Sequence, residues 1–167
     1  MAPLRSIEPL RKDHVRSSFD SGEPTLDDWF HRFAWENHAA GFARVYVTCR
    51  DGRVVGYYSL GAFSILRDNA TKRAAKGGPT QIPALLLGRL AVDRAEQGQG
   101  IGAALLRHAM LTAVVASEQQ HAVRALVVNA LDEPARDFYR RYGFETSPTN
   151  DLDLMILTKD IKATLDR

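Results

Sequence analysis

Residues 85–106 read LLLGRLAVDRAEQGQGIGAALL, and the rest of the chain is organised around them. The apolar run Leu85-Leu86-Leu87-Gly88-Arg89-Leu90-Ala91-Val92 predicts a buried strand. A polar turn, Asp93 to Glu96, leads into Gln97-Gly98-Gln99-Gly100-Ile101-Gly102, and Ala103-Ala104-Leu105-Leu106 continues as a helix. Glycine has no Cβ, so this backbone can take positive φ and a ligand can approach it closely. The first N–H groups of a helix have no partner within it, and the helix dipole adds partial positive charge there. Strand, glycine turn and helix start together predict a cradle for a phosphate or pyrophosphate.

Three phosphate-binding patterns compete for this stretch. A P-loop is excluded, because no Gly-Lys-Ser/Thr follows the glycines. Gly98-x-Gly100-x-x-Ala103 fits the dinucleotide pattern formally, but five residues separate Val92 from Gly98, where that pattern wants its glycines directly after the strand. The third is Gln-x-x-Gly-x-Gly, met by Gln97, Gly100 and Gly102 after Leu90-Ala91-Val92. It resembles the pyrophosphate loop of the GCN5-related N-acetyltransferases (GNATs), which grips acetyl-CoA. A glycine-rich turn with no ligand is the bland alternative.

A second element supports the resemblance. Ala135-x-x-Phe138-Tyr139-x-x-x-Gly143-Phe144 is similar to the family's AxxFYxxxGF segment, and it stands one strand and one helix after the glycine loop. The resemblance implies an α/β fold with a mixed central sheet flanked by helices. It implies acetyl-CoA as co-substrate, held by Leu90, Ala91, Val92, Gln97, Gly98, Gln99, Gly100, Ile101 and Gly102, with Asp132 close by. Asp132 stands where many members carry Asn. It can cap a helix, but its charge would not welcome phosphate.

Phe19-Asp20-Ser21-Gly22, Asn37-x-x-x-Gly41, Val55-Gly56-Tyr57-Tyr58-Ser59-Leu60, Leu87-Gly88-Arg89-Leu90-Ala91-Val92-Asp93 and Leu154-Met155-Ile156-Leu157 narrow the resemblance further. They are similar to the tRNA-acetylating toxins of bacterial toxin–antitoxin pairs, with Ser21 where those toxins often have Cys. This implies acetylation of the α-amino group of aminoacyl-tRNA and a block of translation. It also implies a ribbon-helix-helix antitoxin as partner, operator DNA reached only through that antitoxin, and a homodimer.

Composition agrees with a globular protein. The chain has 167 residues, 45% of them hydrophobic and 25% charged, and is read as one domain, 1–167. No apolar run is read as a membrane span and the N-terminal MAPLRSIEPLRKDH has no apolar leader core, so a cytoplasmic location is expected. Cys49 is the only cysteine; it ends the strand-like run Val45-Tyr46-Val47-Thr48 and reads as a small buried hydrophobe. His14, His31, His38, His108 and His121 show no zinc-like pairing, and no metal is expected. A net charge of +2 does not by itself mark a nucleic-acid binder.

The remaining elements follow from local signals. Thr25 and Asp28 suggest a capping box for a helix with Leu26, Trp29, Phe30 and Phe33 on one face and Gly41 at its end. Arg44 to Cys49, a turn at Asp51-Gly52, and Val54 to Ala62 predict a hairpin. Residues 67–80 read as a mobile loop, 84–92 as the central strand, and about 100–117 as a helix with Ile101, Leu105, His108, Thr112 and Val115 on one face. His108 reads there as a half-buried structural residue. His121 to Asn129 and Leu152 to Thr158 read as strands; between them lies a helix capped by Asp132 and ended by Gly143. Residues 160–167 read as a helical or disordered tail.

Acyl transfer to an amine requires the amine to attack a thioester, an oxyanion to form, and a thiolate to leave. A phenol near the thiolate can supply its proton, and Tyr139 matches the family's tyrosine; a core tyrosine is the alternative. A backbone N–H near Leu90 to Val92 is expected to polarise the oxyanion. No carboxylate base is evident, and an α-amine, with a reference pKa of about 7.7–8.0, needs one less than a lysine at about 10.4. Arg67, Lys72, Arg73, Lys76 and Arg89 are candidates for RNA phosphate contacts, and Arg136, Arg140 and Arg141 form a second basic cluster. Other acceptors compatible with the fold are a protein N-terminus, a polyamine or an antibiotic amine. A non-catalytic acyl-CoA-binding module is the alternative outside enzymes.

Overall fold

The computed structural model describes residues 2–119 and 121–165. Its strands are β1 (Glu8–Pro9), β2 (Arg44–Arg50), β3 (Arg53–Leu66), β4 (Gln81–Val92), β5 (Ala125–Asn129), β6 (Glu145–Thr146) and β7 (Asp153–Leu157). Its helices are α1 (Pro24–Arg32), α2 (Ala34–Ala40), α3 (Lys72–Ala75), α4 (Ile101–Gln119), α5 (Glu133–Arg141) and α6 (Thr158–Leu165). The strands hydrogen-bond in the order β1-β2-β3-β4-β5-β7-β6, a mixed sheet in which β4 and β5 are parallel. Contacts group the chain into two compact units, residues 1–61 with 88–109 and residues 62–87 with 110–167.

In the first unit the expected hairpin forms with a two-residue turn. Asp51 (φ 51°) and Gly52 (φ 76°) both take the left-handed conformation that matches strand twist. β2 and β3 pair antiparallel, with Tyr46 opposite Tyr58 and Val47 opposite Tyr57, and a bulge follows Thr48. Val45, Val47, Cys49 and Tyr57 pack with Phe19, Leu26, Phe30 and Ala34 from the loop and helices before them. The helix predicted from a capping box at Thr25 starts two residues earlier, with Glu23 as its N-cap: Pro24 occupies its first turn, where a missing N–H is harmless. Asp27 instead accepts hydrogen bonds from the Ser21 hydroxyl (2.6 Å) and backbone N–H (3.1 Å), fixing the loop outside the helix. The single helix expected up to Gly41 breaks at Phe33, whose exposed ring leaves the apolar face.

The second unit is built on β5. Ala84–Leu87 of β4 pairs with Ala125–Val128, and β7 lies antiparallel on the other side. Side chains alternate across a strand. Ala125, Val127, Met155 and Leu157 therefore share one face with Ile65 and Ile82, and Leu126, Val128, Leu154 and Ile156 are buried on the other. The segment read as a mobile loop is structured: residues 67–69 form a 3₁₀ turn and α3 follows, N-capped by Thr71, which accepts from Ala74 N–H at 3.2 Å. Ala70 and Ala74 are buried, a contact too small to register as an apolar period among lysines and arginines. Arg73 on α3 forms a two-pronged ion pair with Asp160 on α6, at 2.7 and 2.9 Å. The tail is thus helical through Leu165; residues 166–167 lie outside the described residues.

α4 departs from its expected face. Ile101 and Leu105 are buried, but so are Leu106, Ala109, Ala113 and Val114, whereas Val115 is exposed. Its 19 residues are also apolar enough to match a membrane-crossing helix by length and composition, contrary to the expectation that no segment would. Short-range register puts its first turns against β3 at one tight point. A Cβ on Gly56 would sit 3.0 Å from Leu105 Cδ1 and 3.1 Å from Ile101 Cγ2. Gly56→Ala is expected to destabilise the fold by about 1–3 kcal/mol through overpacking, read as a lower urea midpoint at unchanged slope.

Candidate active site

The glycine loop leaves β4 at Val92 and enters α4 at Ile101. Gly98 (φ 82°) and Gly100 (φ 83°) are both left-handed, and nothing lies within 4 Å of where a Cβ would be on either. The backbone at these two positions is therefore open to a ligand. The first helical bond runs from Ala104 N–H to the Gly100 carbonyl at 3.1 Å, so the N–H groups of Ile101, Gly102 and Ala103 precede the helix's own bonding. This is a backbone cradle of the kind that accepts a phosphate or pyrophosphate.

The loop is held from its inner side. Gln97, expected to touch the cofactor, uses its side-chain amide N–H groups on the carbonyls of Ser21 and Val92, both at 3.0 Å. Asp93 accepts from Ala95 N–H at 3.0 Å and from Asp20 N–H at 3.1 Å. Beneath it, Arg50 Nε donates to both oxygens of Glu96 (3.0 and 3.1 Å), with side chains only 13% and 11% exposed. Arg50 also donates to the Ala2 carbonyl at 2.9 Å and reaches Gln99 Oε1 at 3.5 Å. A lone carboxylate under an anion site would repel the ligand; Arg50 cancels it. Arg50 is missed by motif reading because it lies far away in sequence, at the end of β2.

Arg89, on β4 before the loop, stacks its guanidinium 3.9 Å from the centre of the Trp29 ring. Trp29 and Phe30 in turn stack on Tyr57, whose hydroxyl donates to the Leu26 carbonyl at 2.8 Å. Leu90 and Val92 are half-buried and Ala91 is buried. His108 sits 2.6 Å from the Tyr58 hydroxyl with Tyr46 beside both rings, and burial holds its pKa below the ordinary value. That is the structural role expected for it. Burial pushes the Cys49 thiol up to about 11, which leaves it a poor nucleophile.

Asp132 and Tyr139 belong to the second unit. Asp132 caps α5, accepting from Ala135 N–H at 2.9 Å. Tyr139 lies on the buried side of α5, edge-on to Phe138 and Phe144. No described residue hydrogen-bonds its hydroxyl, and no described side-chain oxygen is buried without a partner, so the hydroxyl reaches the surface of its unit. Burial raises the phenol to about 12. Of the expected RNA contacts, Lys72 and Lys76 are exposed, Arg67 donates to the Gly78 carbonyl, and Arg73 is committed to Asp160.

Glu96→Ala would leave the Arg50 guanidinium half-buried without its partner. It is expected to cost about 3 kcal/mol in denaturant unfolding and to weaken acetyl-CoA binding measured by calorimetry.

Residues 41–146 match the family model for the acetyltransferase (GNAT) domain. A tRNA-acetylating toxin of Mycobacterium tuberculosis strain H37Rv is 48% identical over 149 residues, covering 89% of each chain. The structure of AtaT complexed with acetyl-methionyl-tRNAfMet superposes with a TM-score of 0.89 at 34% identity, covering 98% of this chain and 99% of that one. A tyrosine-to-phenylalanine mutant of the AtaT toxin, bound to the C-terminus of the antitoxin AtaR and acetyl-CoA, superposes at 0.83 with 34% identity and 99% of both chains covered. A glycine cradle of this geometry, a family model spanning it and relatives of this identity over nearly the whole length converge: the chain belongs to the GNAT acetyltransferase family, which it shares with a tRNA-acetylating toxin.

Proposed function

We propose that this protein transfers an acetyl group from acetyl-CoA to the α-amino group of aminoacyl-tRNA and thereby blocks translation. The observation that carries the donor half is the open backbone at Gly98 and Gly100 ahead of α4. The acceptor half is supported by the likeness to tRNA-acetylating toxins. Acetyl-CoA supplies an activated acyl group and a thiolate leaving group. Gly98 to Gly102 hold its pyrophosphate through backbone N–H groups, with Gln97 and Gln99 maintaining the loop. An N–H from Leu90 to Val92 polarises the acyl oxygen. Tyr139 gives its proton to the departing sulfur, a role suited to a phenol that keeps its proton throughout the neutral range.

The partner is a ribbon-helix-helix antitoxin, through which the complex reaches operator DNA; the toxin itself is a cytoplasmic homodimer acting as one GNAT domain. Lys72 and Lys76 carry the RNA contact in the second unit. Arg73 contributes less than its sequence position suggests, because Asp160 already holds it. Arg89 meets RNA through a guanidinium oriented by Trp29.

Transfer of labelled acetyl groups to charged total tRNA tests the proposal, with deacylated tRNA, polyamines and a peptide mixture in parallel. Label is expected on charged tRNA alone. Label on peptides or polyamines instead would sink the tRNA acceptor and leave the acetyltransferase. Tyr139→Phe is expected to lower kcat by about 10²–10⁴-fold with acetyl-CoA affinity unchanged; an unaltered rate would favour a module that only binds acyl-CoA.

The pH profile gives a separate check. Activity is expected to rise between about pH 6 and 8 as the α-ammonium loses its proton, since its reference pKa is about 7.7–8.0. It should then stay level to about pH 9.5, because a general acid raised to about 12 remains protonated there.

A further inference from the structure

Within the second unit lies a pocket of about 200 Å³, lined by Phe63, Ile65, Val127 and Met155 together with the polar Asn129 and Asp153. It is smaller than the roughly 300 Å³ at which cavities for drug-sized ligands begin, and suits a single amino-acid side chain. Its rim is fixed: Ser147 Oγ donates to the Asn69 carbonyl at 2.6 Å and Thr149 Oγ1 to Asn69 Oδ1 at 2.7 Å. Val127 and Asn129 close β5, the strand that leads through Asp132 into the helix carrying Tyr139.

The other acidic groups among the described residues of its unit have a partner or, like Asp68 and Glu133, lie exposed; Asp153 is half-buried without one. Asp160 pairs with Arg73, Asp151 with Arg136 and Glu118 with Lys162, while Asp132 caps α5. The Asp153 carboxylate has no hydrogen bond or ion pair with any described residue, and its oxygens are not sealed from the pocket. Burial alone pushes its pKa upward, with no neighbouring cation to offset the lost hydration. A half-buried carboxylate beside apolar walls repels RNA phosphate and attracts an amine.

Resting on the reading of the chain as an aminoacyl-tRNA acetyltransferase, we propose that this pocket receives the aminoacyl end of the acceptor. The α-amino N–H groups donate to the Asp153 carboxylate, and the amino-acid side chain lies on Phe63, Ile65, Val127 and Met155. Apolar aminoacyl groups are then preferred, and aspartyl and glutamyl groups are disfavoured by like charge.

Acetyl transfer to individually charged tRNAs, with wild type and Asp153→Asn side by side, tests this. The variant is expected to raise KM for methionyl- and valyl-tRNA about tenfold, the loss of one charge-assisted hydrogen bond. Its KM for acetyl-CoA should stay within about twofold, and its discrimination against aspartyl-tRNA should shrink. Asp153→Glu should recover part of the affinity. A variant with wild-type KM and an unchanged aminoacyl profile, or one that loses kcat alone, would overturn the assignment. Wild-type protein that acetylates another amine but no charged tRNA would overturn the parent reading, and this one with it, without recourse to the variant.

Discussion

A backbone that must leave its N–H groups free on one side has to be fixed entirely from the other. Every feature around residues 93–102 follows from that constraint. Helices and strands hold their shape by pairing the main chain, but the turn at Gly98 and Gly100 cannot do so without filling the cradle. Its shape is therefore maintained by side chains reaching in from below: Gln97 to two carbonyls, Asp93 to two N–H groups, and Glu96 to Arg50. The outer Arg94–Asp20 pair adds a surface clasp, and its guanidinium holds the Asp20 carboxyl below the ordinary range. Being solvent-exposed, that clasp contributes little beside the half-buried Arg50–Glu96 pair.

The same constraint ties the N-terminal segment Phe19-Asp20-Ser21-Gly22 to the glycine loop. Gln97 needs the Ser21 carbonyl, and Asp93 needs Asp20 N–H. Residues 19–23 must then be rigid, which Asp27 secures through Ser21 and Phe19 through its burial against Phe30 and Tyr57. The aromatic cluster continues through Trp29 to Arg89 on β4. Core packing and the orientation of the Arg89 guanidinium are here one set of contacts.

What could be read in advance was whatever local chemistry dictates. The glycine spacing after a strand, the Asp51-Gly52 turn, the Asp132 cap and the segment ending Gly143-Phe144 each act over a few residues, and each appears where the sequence puts it. The glycine loop needed no tertiary partner to be recognised, only to be held. Arg50 could not be found this way, because its significance depends on Glu96, far along the chain. Pro24 displaced the Thr25 cap for a local reason that a pattern search overlooked. Residues 67–80 looked featureless because their order comes from two alanines, the Asn69 carbonyl and the distant Asp160. The buried face of α4 is not legible in sequence, because a helix buried on more than one side does not show a single stripe.

Two carboxylates, the buried Glu96 and the half-buried Asp153, are answered in opposite ways. Glu96 lies under a site for a polyanion, where an uncompensated negative charge would act against binding, and Arg50 neutralises it with two hydrogen bonds. Asp153 borders an apolar pocket and is left without a cation. Among the described residues of its unit, Arg136, Arg73 and Lys162 pair with Asp151, Asp160 and Glu118, and no basic side chain pairs with Asp153. An acyl transfer between a polyanionic donor and an amine requires both polarities to be present and kept apart. On the proposed reading, Arg50 removes the repulsion that Glu96 would exert on the polyanionic donor, and the unanswered Asp153 carboxylate is left to attract an amine.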